Sequence, residues 1–259
     1  MLTSTIYYTM LTRSYSKTLA TTATDPTVQR ETQYFQANIG KVKSVDDLLK
    51  NDKLYTYVMK AFGLSDMSYA KGLIRKVLTG GVANPKSLAN TLNDPRYKAL
   101  ATAFNFAANG AQTTSSASVQ KTTINDYVEQ ALETNVGKTS PGAKMALYFQ
   151  RMAPNITSAY SILGDKTLLN VVETAFGLSS SISFQNIDQQ AKTISGLLKI
   201  SDLQKPAYLQ KFIERFTANY DAQNPTSASA TPTNALQITS PGISQNLLLS
   251  IANLPQGGR

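Results

Sequence analysis

Apolar positions along the chain recur at helical spacing. Leu54, Val58, Ala61 and Phe62 stand at i, i+4, i+7 and i+8, which gathers them on one face of a helix. Leu168, Val172, Ala175 and Phe176 repeat that spacing, and Tyr208, Phe212 and Phe216 form a further i, i+4, i+8 stripe. Alternation of period two, the mark of a half-buried strand, is nearly absent. The pattern predicts an all-α protein with few or no strands. Helix starts are marked by Asp25 and Ser140, each a capping residue ahead of a proline, and by Pro95 and Pro206. Ser44 with Asp47 reads as a variant capping box, and Asn51 and Asp165 are residue types suited to an N-cap.

The pentapeptide AFGLS occurs at 61–65 and again at 175–179. Setting residue i beside residue i+114 over 34–65 gives 12 identities in 32 positions without a gap, self-similarity of the kind that marks a repeated supersecondary unit. The pentapeptide has a physical reading as a helix stop. Phe62 and Phe176 end an apolar stripe, and Gly63 and Gly177 supply the left-handed residue. Leu64 and Leu178 fold back, and Ser65 and Ser179 restart the chain. A ligand loop is the alternative reading of a glycine between helices. The expected organisation is a first helical half at 1–109, a polar linker at 110–121 and a similar second half at 122–221. A Ser/Thr/Pro linker at 222–240 and a short amphipathic helix with its tail at 241–259 follow. In that last helix Ile243, Leu247, Ile251 and Leu254 form a stripe. They are candidate partner-binding residues, and packing onto their own domain is the competing expectation.

Composition narrows the chemistry. The 259 residues are 42% hydrophobic, enough for a sizeable core, and include no Cys, His or Trp. Disulfides, thiolate nucleophiles and the usual structural zinc ligands are therefore excluded, and so is the side chain best suited to proton transfer near neutral pH. The acidic pair Asp46–Asp47 falls in a helix first turn, where carboxylates complement the dipole. The glycines of LTGGVANPKS lack phosphate-loop spacing and read as a helix stop. The expectation is a non-enzymatic protein with no catalytic, cofactor-binding or metal residues, no cofactor and no small-molecule substrate. A net charge of +9 raises nucleic acid as a lesser reading, but the basic residues are scattered singly and no nucleic-acid motif is present. Apolar runs are too short to span a membrane, and no secretory signal peptide is expected.

The segments QRETQYFQANIGKVKSVDDLLKNDKLYTYVMKAFGL and LANTLNDPRYKALATAFNF resemble a bacterial family known as domain of unknown function 1217. The resemblance covers most of 25–225 and stops short of the tail beyond about 222. Members of that family are commonly encoded among flagellar genes. The resemblance therefore implies a flagellum-associated protein whose partners are other flagellar proteins or further copies of itself, with no catalytic residues to carry over. Two localisations stay open. One is export through the flagellar secretion system, without a cleaved signal, into the rod, hook or filament; the other is a cytoplasmic adaptor or regulator of another flagellar protein.

Overall fold

Local capping sets where the helices begin. In the computed structural model, which describes residues 2–225, α1 (Ser4–Arg13) and α2 (Tyr15–Ala23) break at Ser14, and α3 (Pro26–Ile39) starts behind Asp25, whose carboxylate accepts from Thr27 N and Val28 N. Ser44 Oγ accepts from Asp47 N at 3.1 Å to open α4 (Val45–Lys50), and the Asp47 carboxylate accepts from Lys43 N at 3.0 Å. Its neighbour Asp46 pairs with Arg75 at 3.0 Å. The acidic pair is thus occupied in capping and surface pairing. Asn51 opens α5 (Asp52–Ala61), and α6 (Lys71–Gly80) follows a 3-10 turn at Ser65–Met67. Then come α7 (Leu88–Thr91), α8 (Pro95–Ala103) and α9 (Phe106–Asn109). After a 3-10 turn at Gly110–Ser115 the chain enters α10 (Ala117–Gly137), the longest helix among the described residues. It continues through α11 (Pro141–Met152), α12 (Ala159–Leu163), α13 (Lys166–Phe176), α14 (Ile187–Leu197) and α15 (Pro206–Gln223). No strand occurs among the described residues.

The two AFGLS segments close their helices with the same hydrogen bonds. Gly63 has φ +70° and Gly177 φ +63°. Leu64 N donates to Met59 O at 2.7 Å and Leu178 N to Glu173 O at 2.8 Å, while the glycine amides reach Lys60 O and Thr174 O. These are the paired bonds of a left-handed C-terminal cap. The restart is weaker than the sequence suggested: Ser65 lies inside a 3-10 turn and caps nothing, and Ser179 caps the 3-10 turn Ser180–Phe184 rather than an α-helix.

Packing departs from a simple division at residue 109. One apolar cluster is built by α3 to α9 and by α10 as far as Ala131, with Phe35, Tyr57 and Tyr127 stacked at 4.5 and 3.8 Å. The other is built by α10 from Leu132 onwards together with α11 to α15, and it also takes in α1 through Tyr8. Leu19 of α2 packs against both clusters. Residues Leu2–Asn224 form one compact unit. The segment expected as a polar linker, 110–121, is a 3-10 turn followed by the start of α10. Thr113 and Thr114 in it are buried, and Thr114 Oγ1 donates to Val42 O. Short polar side chains looked like solvent-exposed linker, but a hydroxyl can satisfy a buried carbonyl and pack as a small group. Helix α15 runs to Gln223, past the expected boundary at 221. Residues 226–259, which include the expected 241–259 helix, lie outside the described residues.

At Gly164, just after α12, a Cβ would sit 2.6 Å from both Asn93 C and Asp94 N, so two backbones meet there with no room for a side chain. Gly164→Ala should lower unfolding stability by about 2–3 kcal/mol, as overpacking against backbone does. Gly196→Ala, inside α14 with open space around it, should raise stability by about 0.5–1 kcal/mol. Urea titration of both variants measures the contrast.

Candidate functional site

Where α10 passes from one cluster to the other, its polar residues are caught between two apolar bodies. Tyr127, Val128 and Ala131 belong to the first cluster, Leu132 and Val136 to the second. At this seam Glu133, 3% exposed, takes a two-pronged contact from Arg151 of α11, Nε to Oε1 at 2.7 Å and Nη2 to Oε2 at 3.3 Å. Burial works against both charges. It pushes the Glu133 carboxyl up against the pull of Arg151, whereas Glu133 holds the guanidinium more firmly protonated than usual.

Arg96, in the first turn of α8, is the second seam cation. It contacts Asp94 (2.8 Å), Asp66 (3.1 Å) and Asp165 (3.7 Å), and donates to Gly63 O. Burial disfavours its charge, but Asp94 and then Asp165 outweigh that and raise its pKa. Gly63 of the first AFGLS thus ends α5 and also anchors the seam.

The matched positions explain why the fastening is one-sided. Tyr34 and Tyr148 are equivalent, as are Asn51 and Asp165. Tyr34 OH donates to Asn51, and Tyr148 OH to Asp165. Asn51 Oδ1 accepts from Leu54 N at 3.1 Å, and Asp165 Oδ1 from Leu168 N at 3.1 Å. The same tyrosine-to-cap unit occurs twice, but only the second copy is charged. Aligning Pro95 with Pro206 places Ala207 opposite Arg96. The cation comes from one set of positions and its distant anion from the other.

Two clefts open along the seam. One, of about 610 Å³, has Lys60, Arg96, Gln130, Lys144 and Tyr148 on its walls. The other, of about 480 Å³, holds Asp126 among Phe62, Pro95, Ala99 and Pro154. Desolvation pushes the Asp126 carboxyl up to about 6; Arg151 pulls it down and Glu133 raises it further. Among the described residues no group of three or more acidic side chains is placed to hold a metal ion, and no helix is long and apolar enough to cross a membrane. Chemically the seam is a fastening: its two arginines are paired with Glu133, Asp94, Asp66 and Asp165.

Besides Tyr160 on α12 and Ile187 and Leu197 on α14, the outer surface carries large apolar side chains on the connectors and on α1. The 3-10 connectors that follow the two AFGLS segments each display an aromatic ring, Tyr69 at 82% and Phe184 at 92% exposure, at adjacent positions of the matched alignment. Helix α1 displays Ile6 and Met10, in line with Leu2 just ahead of it. The sequence-derived candidates Ile243, Leu247, Ile251 and Leu254 lie outside the described residues. Reading one helical stripe at a time missed α1 because its inner face, Tyr8 and Leu11, is apolar as well. Apolar residues on two opposite faces of one short helix were the available signal.

The sequence pattern of the family described as "Protein of unknown function (DUF1217)" matches residues 61–209. Among solved structures, the chain is similar to the crystal structure of protein AGR_C_984 from Agrobacterium tumefaciens, with 40% identity, a TM-score of 0.79, and coverage of 85% of this chain and 94% of that one. No functionally curated protein matches the chain.

Arg96→Met should cost about 3–5 kcal/mol, because it leaves Asp94 and Asp165 buried without their cation, and chemical denaturation reads that loss. Asp126 behaves oppositely. An acid whose folded pKa lies above its unfolded one loses stability as it ionises, here as pH rises from about 4 towards 6. Asp126→Asn should therefore be more stable than the parent at pH 7, by on the order of 1–2 kcal/mol after solvent screening. The difference should vanish below about pH 4, where the carboxyl is protonated in both states. Thermal melts across pH test this.

Proposed function

Given that the chain belongs to the DUF1217 family of proteins of unknown function, we propose that it is a flagellum-associated structural or assembly protein. It works through helix-to-helix protein contacts rather than through a reaction. The observation that carries this reading is the pair of exposed rings, Tyr69 and Phe184, on matched connectors of one compact unit. A free aromatic ring in water is a cost that a protein contact recovers, and aromatic anchors dominate such contacts. Two of them at nearly equivalent positions offer two similar attachment points, as suits a subunit that touches successive neighbours. The seam supports the same reading, since its charged groups are spent on holding the molecule together. The flagellar setting rests on the family resemblance carried by the motifs around AFGL and LNDPRY.

Deleting the gene and inspecting rod, hook and filament by electron microscopy tests the setting. Impaired motility with a missing or malformed part is the expected outcome, and unchanged motility with normal flagella rejects it. Fractionation separates the two localisations: recovery with sheared flagella indicates export and assembly, whereas confinement to the cytoplasm of motile cells makes the protein an adaptor. Complementation with the Tyr69→Ser, Phe184→Ser double variant tests the contact itself. Folded stability should change by less than about 0.5 kcal/mol, because both rings are exposed. The motility halo should shrink to about half or less.

A further inference from the structure

The outward face of α1 and α2 has a composition of its own. Exposed Leu2, Ile6, Met10 and Arg13 follow one another at steps of four, four and three residues into and along α1, and past the break at Ser14 the exposed Lys17 and Ala20 continue the spacing in α2. The first three are apolar, exposed to 48%, 48% and 56%. The next two are basic, and neither makes an ion pair among the described residues; Glu214 of α15 shares a cleft with Arg13 without pairing to it, and Glu129 and Glu133 of α10 face Tyr15 on α2. No Asp or Glu occurs between residues 2 and 24.

This line does not arise from a loosely held segment. Tyr8 on the opposite face is buried and its hydroxyl donates to Gln150 of α11 at 2.7 Å. The first amides of α1, Ser4 N and Thr5 N, donate to the two carboxylate oxygens of Asp221 in the last turns of α15, at 2.7 and 2.9 Å. The apolar line is presented on a helix fixed from behind and at its start.

From this placement we infer that the Leu2–Ile6–Met10 line with Arg13 and Lys17 is a docking face for an acidic amphipathic helix of a partner protein. That helix lays its apolar stripe on the three hydrophobic side chains and sets its carboxylates against the two cations. Charge complementarity selects this occupant. A second copy of the chain offers no acid on its own α1–α2 face to meet Arg13 and Lys17. A membrane surface fits the basic residues, but an interfacial helix buries a broad apolar face, and here the rest of that face is already packed on α11 and α15. The inference rests on the reading of the protein as one that works by helix contacts, and it adds the chemistry of the partner.

The full chain is titrated with a fluorescent synthetic peptide of about 20 residues, helical, with a leucine stripe flanked by glutamates. A twin carrying lysines for the glutamates is titrated in parallel. The acidic peptide should bind and the lysine twin should not, and binding should weaken as salt is raised. Ile6→Ser with Met10→Ser should weaken binding by about tenfold or more, and Arg13→Glu with Lys17→Glu should transfer the preference to the lysine twin. All four positions are exposed, and far-UV circular dichroism verifies that the variants stay folded. Equal binding of the two peptides, no binding, or unchanged binding by the Ile6→Ser, Met10→Ser variant overturns the inference. Sedimentation of the chain with phosphatidylglycerol vesicles in preference to the peptide, abolished by the same variant, assigns the face to a membrane instead. A concentration-dependent dimer abolished by it assigns the face to a second copy. A motility defect in the deletion strain without peptide binding would sink the docking face while leaving the flagellar proposal standing.

Discussion

A helix shared between two apolar bodies imposes a condition on everything around its midpoint. Up to Ala131 α10 fills one core and from Leu132 the other, so the polar side chains at the crossing lose much of their water. A buried charge left alone is costly, and one answered in good geometry can break even. The chain meets the condition with Arg151 on Glu133 and with Arg96 gripping Asp94, Asp66 and, at longer range, Asp165. Such pairing adds little net stability over apolar packing, but it is intolerant of displacement. The crossing therefore fixes how the α8 end of one cluster meets the α13 end of the other, and Gly164 lets the two backbones touch at the same place. Tyr148, which joins Asp165 to the Arg151 face, makes the two charge groups one network.

What was legible in the sequence was local. Asp25, Ser44, Asn51, Ser140 and Asp165 all accept from backbone amides one turn into their helices. The bonds at Gly63–Leu64 and Gly177–Leu178 follow from a left-handed residue two bonds from a helix end. Caps need only neighbours a few residues away, so a residue type in the right place suffices to reveal them. The seating of α1 in the second cluster was not legible, because it depends on Tyr8, Gln150 and Asp221, separated by up to about two hundred positions. The buried turn at 110–115 failed for the same reason: Thr114 is buried only because Val42 O stands opposite it. Of the candidate contact residues, the stripe at 243–254 falls outside the described residues. The exposed rings and the α1 line could be found only once burial was known.

The matched positions also show how two similar units come to fit each other. Asn51 and Asp165 perform the same capping and accept the same tyrosine hydroxyl, so a change between them leaves the local unit intact. A single substitution at that cap adds a charge that only the other unit can answer. Arg96 answers it, and Ala207 at the matched site leaves the converse contact unmade. The charge at one cap and the arginine in one first turn thus tie the two apolar clusters together.

Rigidity at the seam bears on what the surface can do. Binding that must first order a helix spends part of its free energy on that ordering, on the order of 1–2 kcal/mol for each backbone residue fixed. Helix α1 is already ordered, held by Asp221 at its start and by Tyr8 along its length. Hydrogen bonds from Ser4 and Thr5 overcome the burial that would raise the Asp221 pKa and hold it below the ordinary aspartate value, so this tie persists at any pH where the carboxylate is ionised and loosens only as acid protonates it. Three half-exposed apolar side chains on such a support are presented without a further ordering cost. The connectors likewise present single exposed rings, Tyr69 and Phe184, beside short 3-10 turns. The charged crossing at α10, with the ties of α1 to α11 and α15, holds the exposed side chains of α1 and of the two connectors in fixed relative positions.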